Sequence, residues 1–382
     1  MTDASHRVLV VVGTRPEAIK MAPVVDALAD VPEIDARVCL TGQHTDLVDQ
    51  VLETFAMDPA WDLGIMREGQ SLYDVVHGAL DGLRDVVRDF RPDALLVQGD
   101  TATVFVGSLV GFFEGVKVGH VEAGLRSHDK WAPFPEEIFR RLSDVLSDYY
   151  FAPTGRARDA LLAEGVPAER VHVTGNTVVD ALEAVARRDL PVLDPVLRGV
   201  LGGERRLVLL TAHRRESFGA PLREAFRGVR ALADQVPDVE VVYPVHPNPN
   251  VREPAAELLS DHPRIHLTAP LGYVDLVTAL KRAALVLTDS GGIQEEAPTF
   301  GVPVLVLREV TERPEGIEAG VAELVGTDAE RIVARGRAGL DRPSSAAPPP
   351  NPYGDGEAGE RIADIVRADL TGMARSTGDW LA

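Results

Sequence analysis

The stretch Arg7-Val-Leu-Val-Val-Val-Gly-Thr-Arg-Pro-Glu-Ala-Ile-Lys-Met-Ala-Pro23 decides the fold. Val8–Val12 is a short, unbroken apolar run of mostly β-branched residues, the pattern of a strand buried on both faces. Gly13-Thr14 breaks the run. Pro16 suits the first position of a helix, where its fixed φ is already correct and its missing N–H is not needed. Glu17–Ala29 then continues as an amphipathic helix. Strand, tight turn and helix in this order form the opening of a βαβ unit.

The same alternation repeats outward from this point. In the first half the strand-like runs are Val8–Val12, Arg37–Leu40, Ala94–Val97, Val116–Val121 and Tyr149–Ala152. Helical patterns at Thr45–Phe55, Leu72–Phe90 and Ala102–Phe113 separate them. After a less regular stretch, Asp189–Glu204, the series restarts with Leu207–Thr211, Val239–Tyr243, Ile265–Leu267, Leu285–Thr288 and Val304–Val306. The fold class is therefore α/β, with two doubly wound Rossmann-like domains facing each other across a cleft. The boundaries predicted are 1–177 and 178–359, with a last helix, about 360–382, crossing back onto the first domain. Pro343–Pro352 is a Pro-rich connector. In doubly wound sheets, ligands bind beyond the carboxyl ends of the strands, so polar residues just after strands are the candidates.

Composition narrows the function. The 382 residues carry a net charge of −20, which excludes the basic surfaces that nucleic acid and anionic membranes select. The single cysteine, Cys39, lies in an apolar run and reads as a buried core thiol of a reducing compartment. The first apolar run is too short for a signal-peptide core, and no run reaches membrane-spanning length. A cytoplasmic protein is expected.

Several loops carry chemistry. Arg15 and Lys20 place two cations at a helix start whose N–H groups suit a phosphate; a capped helix with solvated charges is the other reading. Asp289-Ser290-Gly291-Gly292, entering a helix that carries Glu296, reads as a backbone nest for a diphosphate, with Glu296 on ribose hydroxyls. Asp100 and Glu122 end two strands, and Glu136 starts a helix with Arg140 one turn on. Carboxylates converging in this way suit proton transfer, because repulsion and burial separate their pKa values. His213 and His246 end successive strands of the second half. Zinc spacing, an Asp-x-Asp motif and a phosphate-loop lysine motif are all missing. The formal Gly354/Gly356/Gly359 pattern follows no strand, so no dinucleotide is assigned to it. No cofactor and no metal is expected.

Together these motifs resemble the non-hydrolysing bacterial UDP-N-acetylglucosamine 2-epimerases. They are Gly13–Pro23, Thr41-Gly-Gln-His44, Gly99-Asp-Thr101, Gly119-His-Val-Glu-Ala-Gly-Leu-Arg126, Phe134-Pro-Glu-Glu137, Thr174-Gly-Asn-Thr177, His213-Arg-Arg-Glu216, Tyr243-Pro-Val-His246, Thr288–Pro298, Thr311-Glu-Arg-Pro-Glu315 and Asn351–Gly356. The resemblance implies a GT-B-like fold, a homodimer, and interconversion of UDP-GlcNAc and UDP-ManNAc. It also implies a route in which UDP is eliminated to 2-acetamidoglucal and then re-added. Asp100, Glu122, Glu136 and His213 would be the catalytic set, with Asp100 and Glu136 moving protons at C2 and His213 serving the leaving diphosphate. Arg15, Lys20, Arg140, Ser290, Gly291, Gly292, Glu296 and Arg313 would bind substrate, and Leu271 and Leu276 would flank the base. An activating second UDP-GlcNAc would meet Gln43, Gln70, Glu136, Arg214 and His246.

Three positions depart from the family pattern. Leu276 replaces an aromatic, Phe139 an Asn, and Gln98 a His. Phe139 lies close enough to Glu136 in sequence to suggest altered substrate scope. A hydrolysing relative that releases ManNAc, a glycosyltransferase of the same fold, and a non-catalytic sensor are the competing readings. The intact carboxylate set argues against the last two.

Overall fold

A computed structural model of the chain describes residues 6–42, 46–67, 69–342 and 348–381. It divides into two compact units, residues 1–181 with 353–382, and residues 182–352.

Unit 1 is built on a parallel sheet of β1 (His6–Val12), β2 (Ile34–Leu40), β3 (Trp61–Asp62), β4 (Ala94–Gln98), β5 (Lys117–Val121), β6 (Tyr149–Ala152) and β7 (Val171–Val173). Their spatial order is β3-β2-β1-β4-β5-β6-β7. The chain therefore winds one way from β1 and the other way from β4, which puts the switch point between these two strands. Val8 to Val12 are each at most 1% exposed, as their unbroken apolar run demands, and each contributes roughly 1.5–3 kcal/mol by burial. Leu83, Val87 and Phe90 of the helix Leu72–Phe90 cover one face of the sheet with Val104 and Val110 of the helix Ala102–Glu114.

Unit 2 repeats the plan with β8 (Arg206–Thr211), β9 (Val239–Pro244), β10 (Ile265–Thr268), β11 (Ala283–Thr288), β12 (Val304–Val306) and β13 (Ala322–Leu324). The order is β10-β9-β8-β11-β12-β13, all parallel, with the switch point between β8 and β11. Phe226, Tyr243 and Leu285 lie at the centre of its core.

The structure moves two boundaries. The division between units falls inside the helix Thr177–Ala186, so no break in composition marks it. The chain rejoins unit 1 at Tyr353, ahead of the predicted 360. Tyr353 is 2% exposed and its carbonyl accepts a 2.7 Å hydrogen bond from Asn176 N. The final helix Ala358–Thr371 then lies so close to the helix Arg15–Ala29 that a Cβ on Gly359 would sit 2.6 Å from the Pro23 carbonyl oxygen. That contact, and not a nucleotide, explains glycine at 359. Arg361 clamps the segment through Asp355 at 2.6 and 2.7 Å. The short strands β3, β7 and β13, of two or three residues each, do not show in the sequence pattern.

Candidate active site

In unit 1 the turn after β1 is closed by its own side chains. Thr14 caps the helix Arg15–Ala29, and the Glu17 carboxylate accepts from Gly13 N at 2.5 Å and Thr14 N at 3.2 Å in a capping box. Thr101 Oγ1, after β4, donates to the other Glu17 oxygen at 2.7 Å. Glu17 is 2% exposed, and burial pushes its carboxyl up to about 7 against these hydrogen bonds. A Cβ on Gly13 would lie 2.3 Å from Thr103 Oγ1, so only glycine lets the two switch-point loops meet. Of the two readings of this helix start, a phosphate site or a capped helix, the cap is present: Glu17 and Thr14 take the N–H groups of Gly13, Thr14 and Glu17. Arg15 and Lys20 still stand in the first two turns of that helix.

The strand-end carboxylates are each gripped by a cation. Lys20 Nζ lies 2.8 Å from both oxygens of Glu122, and Gln98 Nε2 also donates to Glu122. Glu122 adopts φ +69°, a left-handed conformation that costs a non-glycine residue roughly 1–3 kcal/mol. Its side-chain partners and the 3.0 Å bond from its N to Phe151 O hold it there. Asp100 accepts from Arg140 Nη2, while Arg140 Nη1 lies 3.3 Å from the fully buried Glu137. Glu137 in turn accepts from Ser127 N and His128 N at 3.0 and 3.2 Å, fixing the loop ahead of Glu136. Glu136 opens the helix Glu136–Leu146 and is half-buried.

In unit 2 the corresponding turn is open. Ser290 precedes the short helix Gly291–Glu296, and no side chain caps its first turn. Neither glycine has positive φ. An added Cβ would meet Arg214 Nη2 at 3.4 Å from Gly291, or Glu296 Oε1 at 3.5 Å from Gly292, both ordinary contacts. What the glycines provide is access to the backbone. Asp289, 1% exposed, accepts from His213 N at 2.7 Å and Arg214 N at 2.8 Å, which ties the loop after β8 to the loop after β11. Its other oxygen lies 3.8 Å from His213 Nδ1. The His213 and His246 rings stack with centroids 5.5 Å apart. Burial holds His213 below its ordinary pKa, opposed by Asp289 and assisted by His246 and Arg214. Burial raises Asp289. Arg313 donates to the buried Glu295.

Leu271 is buried, and Leu276 is half-buried in the first turn of the helix Tyr273–Arg282. Gln70 uses its amide on its own loop, donating to Ile65 O at 2.6 Å and accepting from Arg67 N at 2.8 Å. Gln43 lies outside the described residues. Phe139 is 8% exposed and stacks on Phe105 at 5.4 Å, so it faces the helix behind it. Its ring is thus taken up by packing, one turn along the same helix from Glu136. Among the described residues no group of three or more His, Cys, Asp and Glu is placed to hold a metal ion, and no helix is long and apolar enough to cross a membrane.

A family model described as UDP-N-acetylglucosamine 2-epimerase matches residues 26–367. The chain belongs to the UDP-N-acetylglucosamine 2-epimerase family. It is 48% identical over 363 residues to the UDP-N-acetylglucosamine 2-epimerase of Bacillus subtilis, covering 94% of each chain. A crystal structure from Listeria monocytogenes superposes with a TM-score of 0.91 at 44% identity, over 99% of this chain and 100% of that one. The Neisseria meningitidis UDP-GlcNAc 2-epimerase bound to UDP-GlcNAc gives a TM-score of 0.84 at 42% identity, over 96% and 100%. The fold class of this family member is accordingly GT-B-like.

Within the family's frame, two residues escape a reading of the sequence. Asp289 and Glu17 appear there only inside longer motifs. Asp289 ends a strand as Asp100 and Glu122 do, so the strand-end criterion could have found it. Glu17 carries a different signal, a Thr14-x-x-Glu17 capping box.

Proposed function

We propose that this chain interconverts UDP-GlcNAc and UDP-ManNAc by eliminating UDP to 2-acetamidoglucal and adding it back. The observation that carries this reading is the contrast between the two switch-point turns. The turn in unit 1 is closed by Glu17 and is surrounded by fixed carboxylates. The turn in unit 2 is open and is backed by His213. The first arrangement suits proton transfer and the second suits a diphosphate. The relative from Neisseria, crystallised with UDP-GlcNAc, supports the substrate class.

The chemistry follows from the sugar. Its C2 hydrogen is not next to a carbonyl, so direct deprotonation is unfavourable. When the C1–O bond breaks, its electrons leave with UDP, and the positive charge at C1 acidifies C2. The C2–H electrons then form the C1=C2 bond of the glucal. A proton delivered to the other face of C2, followed by return of UDP to C1, completes the inversion. This needs an acid and a base on opposite faces, and groups that hold the departed UDP. Asp100, aimed by Arg140, and Glu136 take the proton roles. Glu122, locked onto Lys20, provides fixed negative charge near the developing cation. His213 donates to or steadies the leaving phosphate. The Ser290–Gly292 backbone holds the diphosphate, with Arg15 and Arg313 as cations and Glu296 on the ribose. Leu271 and Leu276 flank the base.

The family resemblance extends the reading to a homodimer and to an activating second UDP-GlcNAc that meets Arg214 and His246. The His213–His246 stack supports a link between that ligand and the reaction. The test is incubation with UDP-GlcNAc in D2O. Deuterium at C2 of both UDP-sugars, without free ManNAc, is the expected result. Free ManNAc with UDP would show that water captures the glucal, and no exchange would rule out the elimination. Asp100→Asn and Glu136→Gln should each abolish exchange while UDP still binds.

A further inference from the structure

His120 sits on β5 with no exposed surface and makes two short contacts. Its Nε2 is 2.7 Å from the Gly99 carbonyl oxygen, and its Nδ1 is 2.7 Å from Asp144 Oδ1. Both neighbours are acceptors. A neutral imidazole has one N–H and would turn a lone pair on one of them. Asp144 already accepts from Arg126 Nη2 at 2.7 Å and Gly124 N at 3.3 Å, so the shared proton belongs on the ring. Arg126 is anchored in turn by Glu164 at 2.8 and 2.9 Å.

The two contacts join separate parts of the site. Gly99 directly precedes Asp100, has φ +85°, and donates its N–H to Val121 O at 3.1 Å. Asp144 lies on the helix Glu136–Leu146, which also carries Arg140. We infer that His120 is a buried imidazolium that clamps the Asp100 loop to the helix bearing Glu136 and Arg140, and so acts as a positioning residue for proton transfer. The inference rests on the epimerase reading for the reaction it serves, though not for the charge it assigns. Burial works against the charged ring, but Asp144, the Gly99 carbonyl and the more distant Glu122 outweigh it and hold the ring above its ordinary pKa. Arg126, the cation in this group, is satisfied by Asp144 and Glu164 and leaves Asp144 one oxygen for the ring.

The arrangement makes the separation of two proton-transfer groups depend on a side chain that need not touch substrate. A displacement of about 1 Å in such geometry can cost roughly 100-fold in rate. His120→Asn can offer one donor to Gly99 or to Asp144, but cannot bridge them. The variant should lose roughly 100-fold in kcat for C2 exchange, with KM and UDP affinity unchanged. In the wild-type protein, 15N shifts of histidine side chains should show both His120 nitrogens protonated at neutral pH and above. A neutral tautomer, or a His120→Asn enzyme with full kcat, would overturn the inference. Should His120→Asn fail to fold, the wild-type 15N shifts decide alone. A wild-type protein that exchanges no C2 hydrogen would instead end the epimerase reading, while the charge on His120 would still be read from those shifts.

Discussion

Lys20 Nζ stands 2.8 Å from each carboxylate oxygen of Glu122, with the two side chains only 16% and 8% exposed. The pair joins the helix after β1 to the end of β5 and holds Glu122 in its left-handed conformation. Removing one partner leaves the other charge buried, which costs about 3 kcal/mol, whereas removing both costs less than the sum. Lys20→Met should therefore destabilise unit 1 by about that amount, and adding Glu122→Gln should recover part of it. Trp61, Trp131 and Trp380 are the three tryptophans and all belong to unit 1, so their fluorescence in urea follows this transition. Simple additivity of the two substitutions would show that the pair is not coupled.

Gly292 separates fold from function. A Cβ there would sit 3.5 Å from Glu296 Oε1 and 3.9 Å from Ser290 Oγ, so the protein itself can accept alanine. Gly292→Ala should leave stability unchanged within about 0.5 kcal/mol. If the nest receives a diphosphate, the methyl group intrudes on it, and UDP affinity should drop at least roughly tenfold, or about 1.4 kcal/mol. Calorimetric titration with UDP beside a thermal melt checks both halves. Unchanged UDP binding would move the diphosphate elsewhere.

The repeated strand-turn-helix pattern makes both sheets legible, because Val8–Val12 and Leu285–Thr288 are long enough to show their burial. The pattern does not reach β3 or β7, since Trp61-Asp62 and Val171-His172-Val173 are short and interrupted by polar residues, whereas the equally short β12 is the unbroken apolar run Val304-Leu305-Val306. Strand-end logic locates Asp100, Glu122 and His213. It cannot show that Lys20 belongs to Glu122, over 100 positions away, or that Arg140 reaches Asp100 as well as Glu137. The turn at Gly13–Glu17 admits both readings in the sequence because an anion site and a capping box share the same helix start. Only the position of the Glu17 carboxylate distinguishes them. Phe139 stands one helical turn from Glu136, which the sequence shows, but only the structure shows its ring buried against Phe105.

Asp289 governs the charge that His213 can hold. It lies 3.8 Å from His213 Nδ1 and raises the ring's pKa, against burial, His246 and Arg214. Asp289→Asn keeps an oxygen for the two backbone N–H groups but removes the counter-charge. The His213 pKa should then fall further. If protonated His213 serves the leaving phosphate, activity is lost as pH rises through that pKa. The alkaline limb of the kcat profile should therefore move to lower pH. Where the limb moves by about one pH unit, the rate at neutral pH drops about tenfold. Recovery of rate on acidification distinguishes this from a collapsed loop. A limb that stays in place would show that His213 does not act as the acid.

Glu17 ties the same region to pH. Burial raises its carboxyl from the ordinary 4.5 to about 7 in the folded protein. Below about pH 4.5 both folded and unfolded chains keep the proton, and the stability it confers is fully present. As pH rises the unfolded chain releases the proton first, so that stability is lost progressively until the folded group ionises near 7. The total is of the order of 3 kcal/mol. Glu17→Gln cannot ionise, so its stability should lack this component of the fall. The measurement is tryptophan-monitored urea unfolding of both proteins from pH 4.5 to 8, taken as a difference so that the other carboxylates cancel. The wild-type protein should lose stability relative to the variant across this window and run parallel to it above the folded pKa. Because Thr101, beside Asp100, donates to the same carboxylate, the C2 exchange rate should also respond to pH in wild type and less so in Glu17→Gln. Parallel stability curves throughout would mean that the three hydrogen bonds offset burial completely and that Glu17 is ionised across the range.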